Sequence, residues 1–197
     1  MGRSKGEQTR RLILDRAMAS ASLLGLEGLS IGNMAKEVGM SKSGLFAHFD
    51  SKEALQLQVL NTAIDHFVST VIAPALREPR GEPRVRALFD RWLDWSVSEV
   101  MPGGCLFIAS ANELDDRPGP LRDRLVSSQK DWLSALSTAA RIARDEGHFS
   151  PDLDCDQFAY ELYSIALASH HFHRLLRDPS AFDRAKTAFE QLIRNSK

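Results

Sequence analysis

The sequence predicts an all-α protein of about nine helices, and three observations carry that reading. Apolar residues recur at three- and four-residue spacing along most of the chain. No segment alternates apolar and polar residues for the length of a strand, and β-branched residues are sparse. Breaks are marked by Gly, Pro and Asp clusters that stop or cap helices. The composition, 43% hydrophobic and 26% charged over 197 residues, is that of a chain with enough apolar surface to build a core.

The first predicted helix spans 7–24, with Ile13, Ala17, Ala21 and Leu24 on one buried stripe; Gly25 and Gly28 end it. Ser30 caps a short helix over 31–38, which Gly39 stops with a left-handed residue. Ser41 caps a second short helix over 42–49. Asp50 and Glu53 stand at capping-box spacing before a long helix over 51–72, whose end Pro74 disturbs. The stretch 77–83, with two prolines and a glycine, reads as a linker, and Pro83 suits the first turn of a helix over 83–100. Pro102, Gly103 and Gly104 break the chain before a helix over 106–114. A turn at 115–120 leads to a long helix over 121–146, ended by Gly147. Asp152 to Asp156 offer caps for a helix reaching Arg177, and the last helix runs from Asp178-Pro179 to Asn195.

The net charge of -1 gives no global sign of a polyanion partner, but its distribution does. Residues 1–52 hold eight Lys/Arg against five Asp/Glu, leaving 17 basic and 21 acidic residues beyond them. A mildly basic N-terminal segment on an acidic body suits nucleic acid. Cys105 and Cys155 show neither CxxC spacing nor a disulfide framework. The opening Met-Gly-Arg-Ser-Lys-Gly lacks the apolar core of a signal peptide, and no apolar run is long enough to span a bilayer. A cytoplasmic protein with no membrane partner is expected.

The segment 30–49, Ser-Ile-Gly-Asn-Met-Ala-Lys-Glu-Val-Gly-Met-Ser-Lys-Ser-Gly-Leu-Phe-Ala-His-Phe, has the physical makings of a helix-turn-helix. Ile31, Met34, Ala35 and Val38 form an apolar face, with Ala35 small where a second helix crosses. Met40, Leu45 and Phe49 anchor the second helix and leave Lys42, Ser43, Gly44, Ala47 and His48 facing outward. A short helix held this way enters a major groove and presents its first residues to base edges. Lys42 suits guanine, Ser43 bonds either way, and Ala47 suits a thymine methyl.

This run, continuing through Leu-Phe-Ala-His-Phe-Asp-Ser-Lys-Glu-Ala-Leu55, resembles the DNA-binding domain of TetR-family (TetR/AcrR-type) transcriptional regulators. Thr9-Arg10, Ile13-Leu14, Ala17 and Gly25 also fall where that family has them, so the likeness covers 7–67. The resemblance implies a helix-turn-helix DNA-binding domain over 7–67 and a helical ligand-binding and dimerisation domain over 68–197. It implies a ligand-released repressor that binds a palindromic double-stranded operator as a homodimer paired through its last two helices. The DNA-binding set is Ser30, Asn33, Lys42, Ser43, Gly44, Phe46, Ala47, His48 and Lys52, with His48 and Lys52 on phosphate by resemblance and reach. Phe46 stands where the family usually carries Tyr, which removes a hydroxyl contact. Ala21 replaces a usual large aromatic, whose volume Leu23 or Leu24 is expected to fill.

A small-molecule effector of unidentified chemistry is expected in the larger part, with no cofactor. Trp92, Trp95, Phe107, Trp132, Leu136, Phe158, Tyr163 and His170 are candidate pocket residues, although aromatics at these spacings serve plain core equally well. The stripes Phe158, Leu162, Ile165, Ala166 and Phe182, Ala185, Phe189, Leu192 fit a dimer face or intrachain core, which periodicity does not separate. Glu113, Asp115 and Asp116 line a polar mouth or, the better reading, cap and solvate a turn. His170 and His173 lie one turn apart, but with no further ligand cluster no metal site is assigned. No HExxH, GxSxG, P-loop or dinucleotide fingerprint is present, so the chain is not read as an enzyme.

Overall fold

In the structure, a computed structural model, residues 5–197 are described; Arg3 of the basic N-terminal segment and the opening stretch lie outside them. Among the described residues the elements are helices joined by turns, with no strand. Contacts divide the chain into two compact units. The first gathers the residues up to His66 with Ser98–Val126, and the second Phe67–Val97 with Ser127–Lys197.

In the first unit, α1 (Lys5–Leu24) is followed by α2 (Ile31–Glu37), α3 (Lys42–Phe46) and α4 (Lys52–Phe67), and α7 (Leu106–Leu114) packs against α1. Its core holds Ile13, Met18, Leu26, Met34, Leu45, Phe49 and Leu60. Ile13, Ala17 and Ala21 are buried as their spacing predicts, but Leu24 is 61% exposed and Leu23 58%. Neither fills volume beside Ala21. The last turn of α1 is held through its backbone instead, as described below. The capping box expected at Asp50 and Glu53 is displaced by one residue, because Ser51 Oγ accepts the Ala54 N–H at 3.0 Å. α4 stays α-helical only to Phe67; a π-helical turn, Val68–Ile72, leads into α5 (Ala73–Ala75), which contains Pro74. Proline lacks the N–H that would extend the α-helical ladder, so widened spacing just before it is physically reasonable.

In the second unit, α6 (Glu82–Ser96), α9 (Cys155–Arg174), α10 (Ala181–Asn195) and most of α8 (Pro120–Asp145) enclose an aromatic core. Pro83 lies in the first turn of α6 as expected, but α6 ends at Ser96, short of the predicted 100. Phe89 of α6 stacks on Phe189 of α10 with centroids 4.0 Å apart. Asp154 caps α9, its carboxylate accepting the Asp156 and Gln157 N–H groups at 3.0 Å.

Candidate nucleic-acid interface

Each short helix of the first unit is started by its own serine. Ser30 Oγ accepts the Asn33 N–H at 3.1 Å and Ser41 Oγ accepts the Gly44 N–H at 3.0 Å. Between them Gly39 adopts φ +68, and the Met40 N–H returns to the Ala35 carbonyl at 2.8 Å, which reverses the chain within three residues. Met34, Ala35 and Leu45 are buried, and α2 and α3 pack on each other. α3 closes at Phe46 and not at Phe49. Its end tightens, with the His48 N–H bonded to Leu45 O and the Phe49 N–H shared between Leu45 O and Phe46 O. That tightening carries Phe49 into the core, 1% exposed, under the Arg10 guanidinium at 5.3 Å. Arg10 also donates to Gln58 Oε1 at 2.7 Å.

Of the residues singled out by sequence, Asn33, Lys42, Ser43, Phe46, Ala47 and Lys52 are exposed, and Ser30, Gly44 and His48 are half-buried. They are not equally available. Ser30 Oγ is occupied as a cap, and Ser43 Oγ lies 3.1 Å from Ser41 Oγ. The Lys42 chain folds back over Gly32, where a Cβ would touch its Cε at 2.8 Å. Lys52 Nζ donates to the Glu27 carbonyl at 2.8 Å and lies 3.4 Å from its carboxylate.

The candidate pocket residues do not form one group. In the second unit Phe67 meets Trp95 and Trp132 edge-to-face, at 5.5 and 4.9 Å. Trp92 meets Trp132 at 5.4 Å and Tyr163 at 5.3 Å, and the Tyr163 hydroxyl donates to Gln129 at 2.7 Å. Trp132 Nε1 is buried without a hydrogen-bond partner. Leu136 is buried, while Phe158 pairs with Phe149 at 5.4 Å. Phe107 is buried in the first unit. His170 Nε2 is buried and unpartnered; burial first, then the positive charges of Arg174, His173 and His171, lowers the His170 pKa. The His173 ring packs on Phe182 at 4.7 Å. Cys105 is almost fully buried, which suits an inert apolar role.

Sequence reasoning singled out Glu113 beside Asp115 and Asp116 but missed its partners. Its carboxylate neither lines a mouth nor solvates a turn; it accepts the Leu26 N–H at 2.9 Å and the Glu27 N–H at 3.4 Å. The available signal was a lone acid inside the apolar helix Leu-Phe-Ile-Ala-Ser-Ala-Asn-Glu-Leu.

Two capped short helices, reversed at a left-handed glycine and anchored by Leu45 and Phe49, define a DNA-binding helix-turn-helix. Residues 13–59 match the family model described as bacterial regulatory proteins, tetR family, and residues 81–189 match that of the tetracyclin repressor-like C-terminal domain. The chain belongs to the TetR family and is a DNA-binding transcriptional regulator. It is 26% identical over 157 residues to the HTH-type transcriptional repressor ComR of Escherichia coli K12, covering 79% of this chain and 75% of ComR. A TetR-family regulator from Cytophaga hutchinsonii has the same fold, with TM-score 0.85 at 19% identity, covering 100% of this chain and 98% of the other. So does AibR, solved with isovaleryl coenzyme A and operator DNA, with TM-score 0.74 at 22% identity, covering 94% and 98%. Among the described residues no helix is long and apolar enough to cross a membrane.

Proposed function

We propose that this protein is a ligand-released repressor that acts in the cytoplasm, without enzymatic activity, and binds a palindromic operator as a homodimer. Residues 7–67 read DNA and 68–197 sense a small molecule and pair the protomers. The observation that carries the reading is the α2–α3 pair, capped and anchored from behind, with Asn33, Lys42, Ser43, Phe46 and Ala47 exposed on it. Ser30, Gly44, His48 and Lys52 border that surface and complete the contact set. Base edges are read from α3, whose first turn suits the major groove, while His48 and Lys52 take phosphate. Lys52 has to leave Glu27 to do so.

Pairing through the last two helices is supported by an open apolar groove between α9 and α10. It is lined by Ile165 and Phe172 and by the small residues Ala168, Ala181, Ala185 and Ala188, over which a second pair of helices can approach. The effector site is supported by the aromatic cluster of Trp92, Trp95, Trp132 and Tyr163, where the buried Trp132 N–H offers a donor. Phe158 and His170, in the same unit, complete the proposed pocket set; Phe107 lies in the first unit and is not among them. AibR, with both an acyl-coenzyme A and operator DNA, provides a parallel for one chain that serves both ligands. The effector has to favour the state that does not bind DNA, and a coupling of about 1–3 kcal/mol lowers operator affinity roughly 5–150-fold.

Selection from randomised duplex with the purified protein, followed by a shift assay at fixed salt, tests the reading. An enriched inverted repeat supports it. Weak, salt-sensitive binding to all duplexes alike overturns it.

A further inference from the structure

We infer that Glu113 is a positioning residue for DNA reading: from α7 it grips the turn between α1 and α2 and so sets the attitude of the α2–α3 pair. The inference rests on the operator-binding reading and adds to it a residue that touches no DNA.

α1 ends in a left-handed residue, Gly25 at φ +78, and the next two amides, Leu26 and Glu27, point the same way. Successive amides after such a residue make a concave site for an anion. In this chain the anion is a side chain 87 residues further on, since Glu113 Oε2 accepts both N–H groups. Charge-assisted bonds of this kind are roughly twice as strong as neutral ones. Gly25 serves twice. It takes the positive φ without strain, and it leaves room for the carboxylate, which a Cβ at that position would strike. Leu26 is fully buried, so its N–H depends on Glu113 and has no access to water.

A second tie lies one turn back. Ser22 Oγ donates to the Ala19 carbonyl at 2.7 Å and accepts the buried Gly103 N–H at 2.9 Å. Gly103 sits so close to the Ser22 carbonyl that no side chain fits there. The carbonyl side of the turn is held from α4: Gln56 Nε2 donates to Leu26 O at 2.8 Å, joined in the DNA-free protein by Lys52 Nζ, which donates to Glu27 O at 2.8 Å. Arg117, just past α7, adds an ion pair to the Glu27 carboxylate at 3.4 Å. The turn is therefore held on both sides, with α7 on its N–H groups and α4 on its carbonyls. Ser30, the cap that starts α2, follows only three residues after Glu27. A shift of Glu113 moves the frame from which both reading helices start.

The test uses the full-length protein and three variants against the selected operator and a random duplex at one salt concentration. Glu113→Ala is expected to weaken operator binding by about tenfold or more and to broaden the accepted half-site spacing, because spacing reports head attitude. Random-duplex binding, which depends on phosphate contacts, is expected to stay within about twofold. Glu113→Gln keeps a carbonyl oxygen for the Leu26 N–H and is expected to recover operator binding to within about threefold of the parent. Gly25→Ala, which expels the carboxylate, is expected to match Glu113→Ala. If Glu113→Ala is unfolded by circular dichroism, Glu113→Asp, with a carboxylate that falls short of the turn, carries the same comparison. Unchanged operator affinity and spacing in Glu113→Ala overturns the inference, and so does an equal loss on operator and random duplex. Failure of the parent protein to select any duplex overturns the operator-binding reading itself, and this inference with it.

Discussion

The start of α2 and the start of α6 solve one problem by opposite means. α2 is capped by the residue immediately before it, Ser30, whose hydroxyl takes an amide three positions on. α6 begins on Gly81, which has no side chain to cap with. Its first-turn amide, Glu82 N–H, is taken at 3.0 Å by His148 Nδ1 from the turn after α8, 66 residues away. A cap written into neighbouring residues forms as soon as the helix does. A cap borrowed from a distant turn exists only once the surrounding unit has folded. The start of α2 thus follows a local instruction, and the start of α6 a long-range one.

The largest expected effects fall where the two kinds of construction share a requirement, a buried anchor. Phe49→Ala in the first unit and Phe89→Ala in the second each remove a ring from a site at most 1% exposed, and each is expected to cost about 3–5 kcal/mol in urea unfolding. The second also abolishes the stack on Phe189. A cost below about 1 kcal/mol at Phe49 would mean that α3 does not depend on the core beneath it, and that the caps alone hold the pair.

The caps sharpen the contrast. Gly81→Ala imposes a side chain on a residue at φ +94 and drives it into the His148 ring, so about 1–3 kcal/mol is expected. Ser30→Ala loses one local bond and is expected to cost about 1 kcal/mol. Thermal or urea melts of the two variants decide the order. A reversal, with Ser30→Ala the more damaging, would show that the distant cap contributes little.

The same contrast explains what could be read in advance. Ser30, Gly39, Ser41, Leu45 and Phe49 carry their instructions within one short stretch, so the helix-turn-helix was legible residue by residue. The end of α1 at Leu24 and Gly25 was read correctly, but Leu24 was misread as buried: it keeps the apolar spacing while Glu113 and Gly103 do the holding. Each of these contacts has a backbone N–H on one side, that of Leu26 and Glu27 for Glu113 and that of Gly103 for Ser22 Oγ, and backbone groups leave no mark in a pattern of side chains. The aromatics were legible as a set but not in their grouping. Periodicity does not say that Phe158 sides with Phe149, or that Phe107 falls in the other compact unit from Trp92 and Trp132. Those assignments depend on which helices meet, a long-range fact.

A smaller effect belongs to the ion pairs that close the second unit. Arg86 donates to Glu82 at 2.8 Å and to Glu190 at 2.5 Å, and Lys197 lies 2.9 Å from Glu82. For Glu190 the Arg86 bond holds the carboxyl below its usual range. For Glu82 burial alone would raise it, but the bonds from Lys197 and Arg86 together outweigh burial and lower it. A lowered folded pKa gives stability that is complete above the unfolded value of about 4.3 and is lost as pH falls through the folded values. Arg86→Met is expected to flatten this acid limb and to cost less than about 1 kcal/mol at neutral pH, since Glu190 is half-exposed. An unchanged acid limb in the variant would assign it to other carboxylates.

The smallest effect separates two parts of the second unit by pH. His170 is half-buried in the second unit, its pKa lowered by burial and by Arg174, His173 and His171. A base lowered in the folded state binds its proton more readily when unfolded, so the stability it confers is complete above the unfolded value of about 6.5. That stability falls away as pH drops through the folded value. The window opens at a higher pH than the one set by Glu82 and Glu190, so its upper part can be measured apart. Urea midpoints for the parent and His170→Gln at pH 7.5 and about pH 5.5 give the difference, with every other histidine common to both. The parent is expected to lose more than the variant on acidification. Equal losses would mean that the buried Nε2 finds a proton acceptor on α9 or on a helix packed against it, and that the pH response of this unit lies elsewhere.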